Sequence, residues 1–112
     1  MKDIIEYSDF AKLDIRAGIV VSCEKIENAE KLYRLMVDTG EEKPRQIVSS
    51  LVDYYTAQEL VGKRILVLVN LKPAKMRGVL SEGMLLCCES EDGSVCVLLT
   101  SETPVAPGTP VT

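Results

Sequence analysis

The chain has no histidine and no tryptophan, and its 112 residues include one phenylalanine and four tyrosines. Histidine is the usual general acid or base and the usual partner of a nucleophilic cysteine, so the commonest enzyme chemistries lack their residue here. A core with so few aromatic side chains has to be packed from valine, leucine and isoleucine. The lack of histidine does not exclude an enzyme but removes the commonest kinds, so an enzyme is the weakest alternative, and we expect no cofactor.

Metal-binding patterns are also missing. The four cysteines stand at positions 23, 87, 88 and 96 and form no C-x-x-C pair. Cys87 and Cys88 are adjacent, so on a strand their side chains point to opposite faces. Without histidine a zinc ion would need all four thiolates, and the adjacent pair makes that set awkward. We expect reduced structural cysteines and no metal site.

Long apolar runs and a signal peptide are absent as well. Met1-Lys2-Asp3 leads into charged residues instead of an apolar segment of about 7–15 residues. The longest apolar run, Ile65 to Val69, is far shorter than the roughly 20 residues of a membrane-spanning helix. With 46% apolar and 27% charged residues, the composition predicts one soluble, cytoplasmic domain spanning residues 1–112.

Alternating apolar residues predict strands along most of the chain. Residues 14–23 show the period-two pattern of a half-buried strand, and Gly18 within them indicates a bend or bulge. Further strand patterns occupy residues 32–38, 45–50, 65–69, 84–88 and 95–99. The last two are separated by turn residues and predict a hairpin.

Helix signals are few. Thr56, Glu59 and Gly62 are placed as the cap, the capping-box acid and the stop of one short helix, and Ser8 could cap a single turn. Strands with one short helix between the third and the fourth predict an all-β, five-stranded Greek-key barrel, the OB-fold, over about residues 12–100. Three prolines after residue 100 predict an extended C-terminal arm.

Acidic residues are missing from one window, Leu60 to Ser81, on a chain with 13 Lys+Arg and 17 Asp+Glu. The basic residues of this window are Lys63, Arg64, Lys72, Lys75 and Arg77. Pro73 and Gly78 bracket the last two in a turn-rich segment, which favours charges displayed on a rim. Clustered Lys and Arg attract phosphates. A merely solvated loop is the alternative that the residue types leave open.

Four blocks of the chain resemble a known family, and the resemblance spans nearly the whole chain. The family is the tRNA-binding domain found in C-terminal regions of bacterial methionyl-tRNA synthetases, in free-standing dimeric tRNA-binding proteins and in a cytokine-like branch of eukaryotic synthetase cofactors. The blocks are residues 14–20, 28–33, 45–51 and 70–84. Two positions depart from the family: Ile26-Glu27 replaces His-Pro, and Ser50 replaces a glycine.

The resemblance implies a non-catalytic module that helps tRNA dock for aminoacylation, as the C-terminal domain or a separate subunit of methionyl-tRNA synthetase. It also implies a homodimer, with segments 1–11 and 101–112 at the interface, and a synthetase catalytic domain as a further partner. The residues it places toward tRNA are Lys31, Asn70, Lys72, Lys75, Arg77, Ser81 and Met84.

Two alternatives share the fold. One is a peptide-binding chaperone or secretion-associated protein, whose relatives lack the intact Asn-Leu-Lys-Pro-Ala-Lys run present here at residues 70–75. The other is a cytokine-like synthetase cofactor, a branch that carries a further C-terminal domain. Arg16 could pair with Asp14 or contact RNA, and the sequence leaves both open. Tyr33, Tyr54 and Tyr55 are too few for a strong base-stacking platform, which favours recognition of RNA by shape and backbone.

Overall fold

The computed structural model describes residues 1–112, which form two one-turn helices and nine strands. The helices are α1 (Tyr7–Phe10) and α2 (Ala57–Leu60). The strands are β1 (Ile15–Ile26), β2 (Ala29–Asp38), β3 (Arg45–Ser49), β4 (Arg64–Leu68), β5 (Ala74–Met76), β6 (Val79–Ser81), β7 (Met84–Leu85), β8 (Cys87–Glu89) and β9 (Cys96–Leu98). No helix has the length and apolar character needed to span a membrane.

Five strands form one antiparallel sheet in the order β3-β2-β1-β4-β7, and the small hairpins β5-β6 and β8-β9 complete it. The sheet curls until its edges meet: the backbone N–H of Glu82 donates to the carbonyl of Gln46 in β3 at 2.8 Å. Closing a sheet in this way leaves no long open edge. The architecture is the OB-like barrel predicted from the strand pattern, with α2 between β3 and β4 as expected.

The long strand β1 makes this curl possible because it pairs with two neighbouring strands. Its first half pairs with β4 and its second half with β2. At Gly18 a Cβ atom would lie 2.8 Å from Cγ1 of Val37, so only glycine lets the two strands approach this closely. The register shift itself falls between Val20 and Ser22. The bend expected near Gly18 is confirmed, with its bulge a few residues later.

The core fills the barrel with aliphatic side chains, as the shortage of aromatic residues required. Leu35, Val37, Ile47 and Val67 have no exposed surface, and they come from three strands of the sheet, β2, β3 and β4. Each lies at alternate positions of its strand, so one face of every strand points inward. Burying aliphatic side chains of this size contributes about 1.5–3 kcal/mol each.

The two helix caps were predicted with unequal success. Thr56 and Glu59 form the expected reciprocal capping box at α2. At α1 the prediction of Ser8 as N-cap was wrong: Glu6 occupies that position, and its backbone N–H donates to the carboxylate of Asp9 at 3.1 Å. An acid three residues after Glu6 can reach back to its N–H, which sets the start of the turn.

The proline-rich C-terminal arm folds back onto its own barrel. Because β2 ends at Asp38, opposite Ile19, the preceding residues of β1 have no partner on that edge. The arm fills the gap: Gly108 and Val111 donate to the carbonyls of Ala17 and Ile15 at 2.8 Å each. An edge strand with unpaired N–H and C=O groups is thereby covered.

We expect the core position Val67 to determine stability and the outer position Val97 to contribute little. Val67→Ala removes two methyl groups from a side chain with 0% exposure, and should lower the free energy of unfolding by about 2 kcal/mol. Val97→Ala is the matched control on β9, at 49% exposure, and should change it by less than about 0.5 kcal/mol. Urea unfolding followed by circular dichroism measures both. Equal effects would mean that β4 does not line the core.

Candidate nucleic-acid interface

The basic segment after β4 is a hairpin with a strained tip. Strands β5 and β6 pair from Ala74–Ser81 to Met76–Val79, which leaves Arg77 and Gly78 as a two-residue turn. Both have positive φ, 52° for Arg77 and 80° for Gly78, the geometry of a type I′ turn. Arginine in this region costs about 1–2 kcal/mol. A non-glycine residue held in such a conformation is often found at functional sites.

The three cations of this hairpin are exposed and unpaired. Lys72, Lys75 and Arg77 are all exposed, and none has an Asp or Glu oxygen within 4.0 Å. Three of the other four arginines of the chain are paired: Arg16 with Asp14, Arg34 with Glu24 and Arg45 with Glu41. The positive charge of the hairpin is therefore available to an external anion.

Lys31 lies in a cleft beside the hairpin tip. The cleft has a volume of about 530 Å³ and is lined by residues 28–32 and Arg77. The Nζ atom of Lys31 donates to Oδ2 of Asp53 at 2.6 Å, and this hydrogen bond raises the pKa of Lys31 above its ordinary value. Lys31 thus stays charged at neutral pH, but it already has a carboxylate partner. A phosphate would have to compete with Asp53 for it.

Asn70 and Ser81 are held within the framework of the barrel. Asn70 accepts from the N–H of Asp14 at 2.9 Å and donates to the carbonyl of Lys12 at 2.7 Å, so it ties the segment before β1 to the end of β4. Ser81 is 6% exposed; its hydroxyl accepts from the N–H of Val48 and donates to the carbonyl of Gly83, both at 3.0 Å. Both side chains shape the rim, and direct contact with RNA stays a prediction.

Met84 points to a different cleft from Lys31. It is 46% exposed and lines a volume of about 470 Å³ with the end of β3 and the start of β8. Of the seven predicted residues, the structure brings Lys72, Lys75 and Arg77 onto one hairpin, with Lys31 at its tip. Met84 lies beyond the hairpin, after β6.

Sequence reasoning missed a residue that positions this hairpin. Nη1 of Arg45 donates to the carbonyl of Val69 at 3.2 Å and to that of Glu82 at 2.7 Å, so one guanidinium holds both ends of the basic segment. Glu41 orients that guanidinium from the other side, at 2.5 Å. The only signal was the position of Arg45 at the start of a family block.

The acid-free window does not form one patch. Lys63 and Arg64 lie at the start of β4, whereas Lys72, Lys75 and Arg77 follow its end. Five residues of strand span roughly 15 Å. The three tyrosines are also engaged in packing: the hydroxyls of Tyr33 and Tyr54 donate to carbonyls, and that of Tyr55 accepts from the N–H of Leu98.

Other features of the sequence are resolved by the backbone and by burial. Ser50, which replaces the family glycine, has no positive φ, so it causes no strain. Glu27 lies with Asn28 in the tight β1–β2 turn and adds a carboxylate beside the cleft of Lys31.

The four cysteines are free thiols. Burial raises the pKa of Cys23 to about 11 and that of Cys87 to about 12, so both stay protonated at neutral pH.

Arg16 is part of the framework, because it pairs with Asp14 at 2.5 Å and donates to the carbonyl of Gly108.

An OB-like barrel that displays unpaired cations on a rim hairpin belongs to the nucleic-acid-binding class of proteins. Comparison with known families narrows this class. Residues 15–110 match the model of a family described as "Putative tRNA binding domain". The chain belongs to this tRNA-binding domain family.

Similar proteins include methionine–tRNA ligases, a MetRS-related protein and a chaperone. The chain is 51% identical over 104 residues to the methionine–tRNA ligase of Methanosarcina acetivorans, covering 93% of the chain and 14% of the ligase. The matched parts of such ligases are C-terminal regions, not catalytic domains. A solved MetRS-related protein from Pyrococcus horikoshii superposes with a TM-score of 0.91 at 37% identity, over 99% of this chain and 100% of that one. The chaperone CsaA of Bacillus anthracis superposes at 0.89 with 29% identity, over 98% and 100%.

Ser81→Ala should destabilise the barrel, in contrast to changes on the hairpin. The substitution leaves the N–H of Val48 without its acceptor in a buried position, which costs about 1–3 kcal/mol. Lys75→Ala is the comparison, on an exposed side chain of the same segment, and should change stability by less than about 0.5 kcal/mol. Thermal unfolding measures both variants. A Ser81→Ala protein as stable as the wild type would show that barrel closure does not need this hydroxyl.

Proposed function

We propose that the chain binds the backbone of tRNA with the basic segment of residues 70–84, which contains the β5–β6 hairpin, and so helps tRNA dock for aminoacylation. The observation that carries this proposal is the set of three exposed, unpaired cations on that hairpin, with Arg77 held at positive φ. A strained arginine at the tip presents a planar guanidinium outward, where it can bind phosphate through two parallel hydrogen bonds. Lys72 and Lys75 add two positive point charges in the same basic segment.

Recognition by backbone and shape suits this surface. The tyrosine hydroxyls are bonded within the barrel, and Tyr33 is buried, so stacking on these rings contributes little. Phosphate contacts fix position and orientation without reading sequence. We infer a module that accepts many tRNAs with weak sequence preference.

We further propose that the module works with a methionyl-tRNA synthetase catalytic domain, in the cytoplasm where aminoacylation takes place. The support is the identity of about half of its residues to parts of methionine–tRNA ligases. A chaperone role is the second candidate, because CsaA has the same fold. The hairpin favours tRNA, since unpaired cations suit a polyanion better than an extended peptide of mixed composition.

Removing one hairpin charge should weaken tRNA binding and its salt dependence. Lys72→Ala, Lys75→Ala or Arg77→Ala should each lose one phosphate contact, which lowers the slope of log K against log salt by about one unit. Lys43→Ala is the matched control: Lys43 is exposed in the β2–β3 turn directly after Glu41 and Glu42, whose carboxylates repel phosphate. Filter binding of tRNA at several salt concentrations measures all four variants.

Two comparisons decide this test: one between the control and hairpin variants, and one between tRNA and heparin as ligands. Equal losses for Lys43→Ala and Lys75→Ala would mean that binding follows net charge and not the hairpin. Equal affinity for heparin and for folded tRNA would count against recognition of RNA. Unchanged affinity and slope in all three hairpin variants would move the interface elsewhere on the barrel.

We also propose that the chain forms a homodimer through its N-terminal segment and the exposed part of the arm. Residues 1–13 expose several large apolar side chains, and helix α1 buries none of its residues. They are Met1, Ile4, Ile5, Tyr7, Phe10 and Leu13. Val105 of the arm is exposed too. A contiguous exposed apolar surface of this kind is typical of an interaction site, and a second copy would bury the same surface on both chains.

The N-terminal segment should therefore control oligomeric state without affecting the barrel. Sedimentation at micromolar concentration should give about twice the chain mass of 12.3 kDa. The double variant Ile5→Ser, Phe10→Ser should shift it toward the monomer and weaken tRNA binding, because two linked RNA surfaces act as one larger site. Val97→Ser, at an exposed position of β9, is the control. A wild-type monomer that binds tRNA would contradict the dimer.

A further inference from the structure

A second cationic site lies at the start of β4, away from the hairpin. It is a cleft of about 360 Å³, and no acidic residue lines it. Its lining consists of Tyr55, Gly62, Lys63, Arg64, Val97, Leu98 and Thr100. The lining combines two cations and a threonine with apolar side chains from β9.

Arg64 differs from the paired arginines of the chain. Arg16, Arg34 and Arg45 each bind a carboxylate, but Arg64 has no acidic partner within 4.0 Å. Its Nη1 atom is buried and has no hydrogen-bond acceptor. A buried donor without an acceptor is costly, more so on a charged group. Arg64 also lines the cleft, so the cleft carries a guanidinium charge that no carboxylate of the chain neutralises.

Lys63 lines the same cleft and lies against Tyr55. Its Nζ atom lies 5.4 Å from the centre of the Tyr55 ring, a cation–π contact that neutralises none of its charge. The backbone at this point is also held: the N–H of Gly62 donates to the carbonyl of Val20 at 2.8 Å, and the N–H of Val20 donates to the carbonyl of Lys63 at 3.0 Å. Both basic residues therefore line the same cleft, and neither has an acidic partner in the chain.

We propose that this cleft binds a phosphate group, with Arg64 and Lys63 as its charged donors and the hydroxyl of Thr100 as a neutral one. A tetrahedral dianion can accept from a guanidinium, an ammonium and a hydroxyl at the same time. It would also supply the counter-charge that the chain does not provide. The phosphate has two chemical sources, a free phosphate compound or the backbone of RNA, and only the second rests on the proposed tRNA function.

The test is an NMR titration of the ¹⁵N-labelled full chain with inorganic phosphate at constant ionic strength. We expect saturable shifts of the amides of residues 62–64 and Thr100. Lys63→Gln and Arg64→Gln should each weaken phosphate binding about tenfold, which equals about 1.4 kcal/mol. Lys75→Ala on the hairpin should leave it unchanged. Lys63→Gln alters a side chain outside the core, so it remains informative should Arg64→Gln lower stability.

Two arms with tRNA identify the source of the phosphate. If RNA occupies the cleft, saturating tRNA abolishes the phosphate shifts, and Arg64→Gln reduces the salt slope of tRNA binding by about one unit. If the ligand is a free phosphate compound, the shifts persist in the tRNA complex. Either result supports the site. Shifts that fail to saturate, or that are equal in the wild type and both Gln variants, overturn it, whatever the outcome for tRNA at the hairpin.

Discussion

The barrel closes where β3 meets the residues that follow the basic hairpin, and the position of every proposed RNA contact depends on that junction. Three neighbouring residues of β3 take part: Arg45 binds the carbonyl of Glu82, Gln46 accepts from its N–H, and Val48 donates to the hydroxyl of Ser81. Gln46 also donates to the carbonyl of Leu80 at 2.7 Å. These bonds join the edge strand of the sheet to the return strand of the hairpin, so the same contacts seal the core and orient the cations.

The polar residues at this junction and on the hairpin fall into two groups. The side chains of Arg45, Asn70 and Ser81 form hydrogen bonds with backbone groups of the chain. Lys72, Lys75 and Arg77 have no such partners and remain available to a ligand. A hydrogen-bonded support beneath exposed, charged side chains lowers the entropy lost on binding, because only the side chains have to be ordered. The family blocks at residues 45–51 and 70–84 therefore contain the supporting residues as well as the ones we propose to bind RNA.

Much of the architecture could be predicted from local patterns. Period-two alternation located the main strands, and the spacing of Thr56 and Glu59 located α2, since both signals depend on near neighbours in the chain. The start of α1 was misassigned because Ser8 and Glu6 compete as caps within one turn. The docking of the arm on β1 had no local signal: it follows from the early end of β2, which leaves Ile15 and Ala17 unpaired.

For the binding surface, the sequence alone determined the chemistry, namely a basic, acid-free window on an acidic chain with no catalytic histidine. It also identified the family, because four blocks of residues resemble it. Only the tertiary structure decided which charges act together. Proximity along the chain grouped Lys63 and Arg64 with the hairpin, but β4 separates the two sets, because an extended strand carries its ends apart. Ion pairing could not be read from the sequence either: Lys31 contacts Asp53 from 22 positions away, because β2 and β3 pair side by side.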